Sequence, residues 1–284
     1  MTTQETATLS DLPVLGVGMG YRGYYAEETF NVANHIDFLE IIPDHFLGAS
    51  HAQKRQLERL ISEFTLVPHG LSLSLGSADG LNKPYLRQIR NLVKKISPPW
   101  WSEHISFTQA DGVEIGHLSP TPFNQSALDV LVENTRIAQD EIETPLILEN
   151  ITYTVKLPWN DIPEEDFIAE LLDRTGCGLL LDVTNLYINS KTHGYDPIEW
   201  LKKLPSDKVI QLHFVGYEVV DDNLVDSHSQ STNESVWSFL ETVLEMFPVK
   251  GAILERDKNL PPINEITDEL DRLRKIGQTK DRWN

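Results

Sequence analysis

The chain has 284 residues, and its 43 Asp and Glu against 24 Lys and Arg give a formal net charge of −19 at pH 7. This acidic balance argues against a nucleic-acid partner, because phosphate binding needs a basic surface. The residues are 40% hydrophobic, enough for a large core, and no apolar stretch approaches the roughly 20 residues that cross a bilayer. We therefore expect a globular protein with no nucleic-acid partner and no membrane span.

The chain has one cysteine, Cys177, which excludes an internal disulfide. The N-terminus is polar and lacks the basic and then apolar segments of a signal peptide. Together these features predict a cytoplasmic protein. Residues 1–12 are predicted to be flexible, and because no linker or low-complexity tract divides the sequence, residues 1–284 are predicted to form one domain.

Apolar, strand-like runs alternate with segments of helical period along the whole chain. The sequence predicts strands over 14–19, 36–42, 66–75, 100–107, 145–151, 178–185, 208–216 and 251–255. It predicts helices over 24–35, 51–64, 82–96, 124–141, 164–175, 197–203, 233–246 and 263–275, with loops between the fourth and seventh strands and their helices. Eight strands alternating with eight helices predict the α/β class and a single-domain (β/α)8 TIM barrel.

The alternative arrangement of these elements is a doubly wound open sheet. That fold typically shows a glycine-rich phosphate loop after an early strand. The segment GVGMGYRG at 16–23 matches this pattern only loosely, and no acidic residue ends a following strand at the right distance. The barrel is therefore the favoured prediction.

Hydrophobic runs of this chain repeatedly end in a histidine or a carboxylate. The terminal residues of these runs are Glu40, His69, His104, Glu149, Asp182, His213 and Glu255. Such a side chain at the end of a buried strand is costly unless it is paired or bound to a metal. Because the carboxyl ends of barrel strands meet at one mouth, the pattern indicates one multi-metal centre.

The types of side chain narrow the choice of metal. His69, His104 and Glu149 form a set of two histidines and one carboxylate, which suits non-heme ferrous iron. Asp182 and His213 lie on the next two strands and could hold a second ion, with Glu149 bridging. Imidazole and carboxylate ligands without cysteine favour iron, manganese or zinc.

A third metal position could come from residues near the end of the chain. Asp226 and His228 form a D-x-H element in the loop predicted after the seventh strand, and Glu255 ends the eighth. Taken singly, a carboxylate at a barrel mouth could instead cap a helix or pair with an arginine, and a lone histidine could be a core residue. Taken together, these residues are better explained by bound cations.

Other polar residues are predicted to lie around the metals or to face the substrate. Glu40 and Asp44 are predicted to contact ligands or substrate rather than metal. Asn185 and His193 follow Asp182 and could orient the ligands or the substrate.

Seven segments of the chain resemble the multinuclear non-heme iron-dependent oxidative enzymes, the family that includes the methanobactin-maturation iron enzyme. These segments are PHGLSLSLGS (68–77), WSEHISF (101–107), LENITY (148–153), CGLLLDVTNLYINSKTHGYDP (177–197), IQLHFVGY (210–217), DSH (226–228) and LERDKNLPP (254–262). The resemblance runs from about residue 14 to residue 263, and the segment 177–197 is its most specific part.

The resemblance implies a mixed-valent cluster of two or three iron ions that uses dioxygen as co-substrate. It implies that His69, His104 and Glu149 bind one iron and that Glu149, Asp182 and His213 serve a second. These last three are also the predicted catalytic residues, while Asp226, His228 and Glu255 match the remaining ligands. The implied reaction oxidises a cysteine, or another residue, of a ribosomally made precursor peptide.

The resemblance also implies a partner, and two departures from the family pattern concern the substrate. Such enzymes usually work with a separate peptide-binding protein. Where relatives have Pro-Glu-Asn after the second strand this chain has residues 43–45, PDH, and residues 229–231, SQS, replace a further acid and histidine. Two alternatives stay open, a zinc or manganese hydrolase or isomerase and a non-catalytic metal-binding or peptide-binding module.

Overall fold

A computed structural model describes residues 9–283 as a ring of parallel strands surrounded by helices. The strands are β1 Gly16–Gly20, β2 Phe38–Ile41, β3 Thr65–Pro68, β4 Trp101–His104, β5 Ser106–Ala110, β6 Val113–Pro120, β7 Leu146–Glu149, β8 Gly178–Asp182, β9 Val209–Phe214, β10 Gly216–Val220, β11 Asn223–Gln230 and β12 Gly251–Leu254. The helices are α1 Glu28–Asn31, α2 His51–Glu63, α3 Lys83–Ile96, α4 Gln125–Glu141, α5 Glu164–Thr175, α6 Val183–His193, α7 Pro197–Leu201, α8 Glu234–Met246 and α9 Ile263–Thr279.

Eight of the strands form one parallel sheet in the order β3-β2-β1-β12-β9-β8-β7-β4. The two edge strands of this order are β3 and β4. A parallel bridge between His69, just after β3, and Ser102 in β4 joins them and brings the sheet close to a complete ring. The connections between neighbouring barrel strands carry the helices on the outside. The TIM-barrel prediction is therefore confirmed, and the carboxyl ends of all eight strands lie at one mouth.

Short-range sequence signals explain where the outer helices begin and end. Ser50 and Gln53 form a capping box at the start of α2, and the Asn82 side chain accepts the Tyr85 N–H at the start of α3. Gly176 follows α5 in the left-handed conformation, which glycine adopts without strain. No helix within residues 9–283 is long and apolar enough to cross a membrane.

The lower half of the barrel interior is apolar. One layer of buried side chains there comes from the barrel strands or the residues that lead into them, and these are Phe38, Val67, Trp100, Ile147, Leu180, Ile210 and Ile253. Leu12 packs against this layer and is 5% exposed. Residues 9–11 form a 3-10 turn before it, whereas residues 1–8 of the segment predicted to be flexible lie outside the described residues.

The structure departs from the sequence prediction in four connections. The predicted loops after the fourth and seventh strands are antiparallel hairpins, β5–β6 and β10–β11, so Asp226 and His228 lie on strand β11. The predicted strand 178–185 ends at Asp182, because the Asp182 side chain accepts the Asn185 N–H and starts α6 immediately. The predicted helix 24–35 is only α1 between two 3-10 turns.

Gly18 in β1 is required by close packing between strands, and its replacement should destabilise the barrel. A Cβ added at Gly18 would meet the backbone oxygen of Phe38 and the side chain of Ile253. We expect Gly18→Ala to lower the free energy of unfolding by about 2–3 kcal/mol, measured by denaturant titration. Gly23→Ala is the control, since nothing lies within 4 Å of its added Cβ. Equal stability of the two variants would contradict this packing argument.

Candidate metal centre

Above the apolar layer, the barrel interior changes to polar side chains that are joined by hydrogen bonds. Trp100 Nε1 donates to Gln211 Oε1 at 2.7 Å, and Gln211 Nε2 donates to Glu40 Oε2 at 2.8 Å. The same Glu40 oxygen lies 2.8 Å from His213 Nε2. This chain of contacts fixes the His213 ring, so that its other nitrogen, Nδ1, faces the barrel mouth.

The first group of donor atoms lies at the ends of β3, β4 and β7. His69 Nε2 and His104 Nε2 each lie 3.2 Å from Glu149 Oε2. The opposite ring nitrogens are anchored, His69 Nδ1 to Ser102 Oγ at 2.8 Å and His104 Nδ1 to the Gly70 oxygen at 3.0 Å. Anchoring one nitrogen of each ring turns the other toward the shared carboxylate, as in metal-binding histidines.

These distances match the spacing of atoms that share an ion. Two donor atoms about 2.1 Å from one cation, at angles of about 90–110°, lie roughly 3.0–3.4 Å apart. The two distances to Glu149 Oε2 fall in that range. The three residues are 1–6% exposed, so bulk water does not easily solvate their donor atoms.

A second group of donor atoms shares the Glu149 carboxylate with the first. Its other oxygen, Oε1, lies 3.3 Å from His213 Nδ1, and Glu255 Oε2 lies 3.1 Å from the same nitrogen. Asp182 belongs to this group, and all of its ligand atoms lie within 4.8 Å of one another. The Asp182 Oδ1 atom accepts the Asn185 N–H at 2.7 Å, which leaves Oδ2 toward the group.

A third group lies between strand β11 and the segment after β12. His228 Nδ1 is 3.7 Å from Glu255 Oε2 and 3.3 Å from Asp257 Oδ2, while its Nε2 is 3.0 Å from Asp226 Oδ1. His228 has a φ of 51°, a left-handed conformation that is uncommon for a residue with a side chain. The other oxygen of Asp257 accepts a hydrogen bond from Arg22 Nε at 2.8 Å.

Many of these buried ligand atoms have no hydrogen-bond partner within residues 9–283. They are His69 Nε2, Glu149 Oε2, Asp182 Oδ2, His213 Nδ1, Asp226 Oδ1 and His228 Nδ1. Buried polar atoms are nearly always satisfied, and so many orphans in one place need an explanation. The nitrogen and oxygen donors fit cations, which would satisfy several orphans at once.

Burial and neighbouring charges change the pKa values of the histidines in the metal-free protein. Burial lowers the pKa of His69 well below its usual value, and the neighbouring His104 and His213 add to this effect. Burial opposes protonation of His104 as well, but the Glu149 and Glu103 carboxylates raise its pKa to about 9. The pKa of His213 is raised well above the usual value, against the effect of burial, by Glu40 and Glu149.

The pKa values of His228 and Asp182 are also raised. Burial works against the charge of His228, yet Glu255 and Asp226 raise its pKa to about 12. Burial, Glu149 and Asp226 raise the pKa of Asp182 to about 8. Without a cation, protons on the histidines balance the buried carboxylates, so metal and protons compete for the same atoms.

An open cavity of about 610 Å³ lies over the three groups. His104, Glu149, Asp226, His228 and Glu255 line its floor. Leu118 of the β5–β6 hairpin and Leu224 of the β10–β11 hairpin line its sides, together with Thr152 from the loop after β7. The two hairpins therefore frame the entrance to the buried donor atoms.

The structure brings seven of the eight predicted metal ligands into these groups and places the eighth, Asp226, 3.0 Å from His228 Nε2. The other polar residues that were predicted nearby lie partly at the cluster and partly away from it. Asn185 contacts Asp182, as described above, and lines the cavity. Asp44 instead accepts a hydrogen bond from Tyr85, and His193 contacts the Tyr153 oxygen, so neither lies at the cluster. The strand ends do not determine where the following loops turn, so a role for these two residues toward the substrate stays a prediction.

Two residues of the cluster were not predicted as ligands. Glu40 offers an oxygen atom to a further buried group, with His69, His213 and Glu255, and is also the hydrogen-bond partner of His213. Asp257 belongs to the third group. Its position two residues after Glu255, in the segment LERD, was the only signal in the sequence that could have indicated it.

The fold and these donor groups define a TIM-barrel protein with a candidate multi-metal centre at the carboxyl ends of its strands. Residues 16–278 match the family described as "RiPP precursor modification enzyme MbnB/TglH/ChrH". The chain belongs to this family, in which RiPP denotes a ribosomally made and later modified peptide, and the resemblance seen in its motifs is confirmed.

Curated relatives agree with this assignment, and solved structures share the fold. The chain is 35% identical to a "UPF0276 protein" of Caulobacter vibrioides, over 91% of this chain and 93% of that protein. It is 33% identical to the UPF0276 protein PA3283 of Pseudomonas aeruginosa, covering 93% of each chain. A crystal structure of D-psicose 3-epimerase has a TM-score of 0.59 at 11% identity, covering 93% of this chain and 98% of that chain. Endonuclease IV from Thermus thermophilus has a TM-score of 0.58 at 14% identity, covering 93% and 99%, and both likenesses concern the fold alone.

Proposed function

We propose that this protein oxidises a cysteine, or another residue, of a ribosomally made precursor peptide, with bound iron and with dioxygen as co-substrate. The observation that carries the proposal is the set of orphaned imidazole and carboxylate atoms at the floor of an open cavity. Family membership supplies the class of substrate, a precursor peptide. Two histidines with a carboxylate are the ligand set that suits ferrous iron in oxygen-using enzymes.

Each donor group has its own part in this proposal. His69 and His104 would hold one ion through their Nε2 atoms, and Glu149 would share its two oxygens between that ion and a second one. Asp182 and His213 would complete the second position, and His228 with Glu255 would serve a third. Iron, when bound, would supply the one-electron redox chemistry by which dioxygen oxidises the peptide.

The cavity has the features that a peptide substrate needs. It is about 610 Å³ in volume, and its apolar walls come from two hairpins whose exposed side chains include Val113 and Val219. A cysteine that enters between the hairpins would bring a soft thiolate donor that the protein's own ligand set lacks. We further propose that a separate protein presents the peptide and that the reaction takes place in the cytoplasm, where thiols stay reduced.

The oxidative function is tested by metal analysis and by reaction with a peptide. We expect protein purified without oxygen to contain two or three iron ions per chain. Incubation with a short cysteine-bearing peptide encoded beside its gene should consume dioxygen and change the peptide's mass. Heat-treated protein with the same iron content is the control. Stoichiometric zinc with no oxygen uptake would refute the proposal.

A metal-dependent hydrolase or isomerase is the second candidate function. It is favoured by the absence of cysteine from the described ligand groups, because nitrogen and oxygen donors also suit zinc and manganese. Activity that depends on zinc or manganese and persists without oxygen would select it. The third alternative, a non-catalytic metal-binding or peptide-binding module, predicts peptide binding with no mass change.

A further inference from the structure

A second cavity, of about 390 Å³, lies beside the metal centre and belongs to none of its donor groups. The segment 151–154 after β7 separates the two cavities. Thr152 and Thr154 line the metal cavity, whereas Tyr153 lines the second one. Ile151 also lines the metal cavity, so Tyr153 is the residue of this segment that faces the second cavity.

The second cavity contains a buried carboxyl group, the side chain of Glu164. Glu164, the first residue of α5, is 9% exposed, and its Oε2 atom accepts a hydrogen bond from the Tyr153 hydroxyl at 3.0 Å. None of the ion pairs among residues 9–283 includes Glu164. Burial raises its pKa to about 7, although the Tyr153 hydroxyl and the Trp200 indole act to lower it. An ionised carboxylate in such a place needs a positive partner.

Aromatic rings surround this carboxyl group, and one of them carries an unsatisfied hydroxyl. The rings that line the cavity belong to Phe123, Tyr153, Tyr195 and Trp200. The Tyr195 hydroxyl is buried and has no hydrogen-bond partner in the described part of the chain. Trp200 is 4% exposed, so bulk water does not reach its indole.

The charges at the rim add to the negative character of the cavity. Glu165, Asp196 and Glu199 line the cavity in addition to Glu164, against the two lysines Lys156 and Lys203. Lys203 lies 3.7 Å from Asp166, and Glu199 lies 2.6 Å from Lys202. Neither partner lines the cavity, so one charge of each sign is partly balanced and Glu164, Glu165 and Asp196 remain against Lys156. The cavity therefore favours a positive ligand over a negative one.

We propose that this pocket, formed by Tyr153, Glu164, Tyr195 and Trp200, binds a cationic side chain of the peptide substrate. The chemical group is the guanidinium of an arginine or the ammonium of a lysine. This inference rests on the proposed function, because that function supplies the peptide. The cation would donate to the Glu164 carboxylate and to the Tyr195 oxygen, with aromatic rings around it. A neutral amide would leave the carboxylate without a counter-charge.

A cation bound in this pocket would help to position the peptide substrate. A peptide that crosses the segment 151–154 could place its reacting residue over the metal cavity and a basic side chain in the pocket. The basic residue would then select the peptide and fix its register without touching the reacting atoms. The pocket that recognises the peptide and the metal cavity that oxidises it would lie on either side of the segment 151–154.

Binding of small probes tests the pocket directly. The probes are acetyl-arginine amide, acetyl-lysine amide and the neutral isostere acetyl-citrulline amide, each titrated into the metal-loaded protein and followed by NMR. We expect at least one cationic probe to bind about tenfold or more tightly than the citrulline probe. Glu164→Gln should weaken that binding by about tenfold or more, whereas Glu170→Gln, on the same helix outside the pocket, should leave it unchanged.

Further measurements separate this inference from folding defects and from the proposed function. Thermal unfolding and metal content of each variant show whether the barrel and the cluster are intact, and Tyr195→Phe provides a second change that keeps the carboxylate. We expect Tyr195→Phe to weaken the cationic probe severalfold. Citrulline binding as tight as that of both cationic probes, or full binding of the preferred cationic probe to Glu164→Gln, would overturn the pocket assignment. None of the probes requires oxidation, so failure of the oxidative function leaves this test valid.

Discussion

Glu149→Gln should empty two of the three donor groups while leaving the barrel folded. The two oxygens of Glu149 face different groups, Oε2 toward His69 and His104 and Oε1 toward His213. A glutamine has the same shape, but it removes the negative charge and places an N–H₂ donor where one ligand oxygen stood. We expect the affinity for ferrous iron at both positions to fall by about 100-fold or more.

This result is measured as metal content after equilibration with a chelator of known affinity, under anaerobic conditions. Glu141→Gln is the control for the loss of one carboxylate, because Glu141 pairs with Arg90 on the outer helices. That variant should keep its full metal content. Thermal unfolding of the metal-free proteins shows whether each variant folds. Full iron retention by Glu149→Gln would remove the assignment of Glu149 as the shared ligand.

The barrel and most of the site could be predicted because both depend on short-range patterns. Apolar runs of four to six residues identify the strands, and the polar residue that ends each run identifies the barrel mouth. His104 and Glu149 are such residues, and the parallel pairing of β4 with β7 places them side by side. Neighbouring strands of a parallel barrel end at the same level, so local signals were sufficient there.

The residues that were missed depend on long-range geometry. Glu40 ends an apolar run, as the predicted ligands do. Its contact with His213, at 2.8 Å, depends on how β2 and β9 face each other across the barrel, which the sequence does not show. Asp257 lies beyond β12, and its contact with His228 depends on the left-handed turn at that histidine. Asp44 and His193 follow strand ends in sequence, yet their loops and helices carry them away from the cluster.

Acidification should release the metal ions in a definite order. In the metal-free protein His104 has a pKa of about 9, so at neutral pH it carries a proton that must leave before its Nε2 atom can bind a cation. His69 has a lowered pKa and is already neutral. The first group therefore releases one proton, and its affinity should fall about tenfold for each pH unit between pH 8 and pH 6.

The second group should lose its ion at higher pH than the first. Here His213 has a raised pKa and Asp182 a pKa of about 8, so two protons return as the pH falls and the affinity should drop about 100-fold per unit below pH 8. Anaerobic chelator competition at pH 6, 7 and 8 measures both slopes. Asp182→Asn removes one titrating group. The metal affinity of the second group should then fall by about tenfold, rather than about 100-fold, per pH unit. Affinities that do not change with pH would mean that protons and cations do not compete at these atoms, which contradicts the charge balance of the cluster.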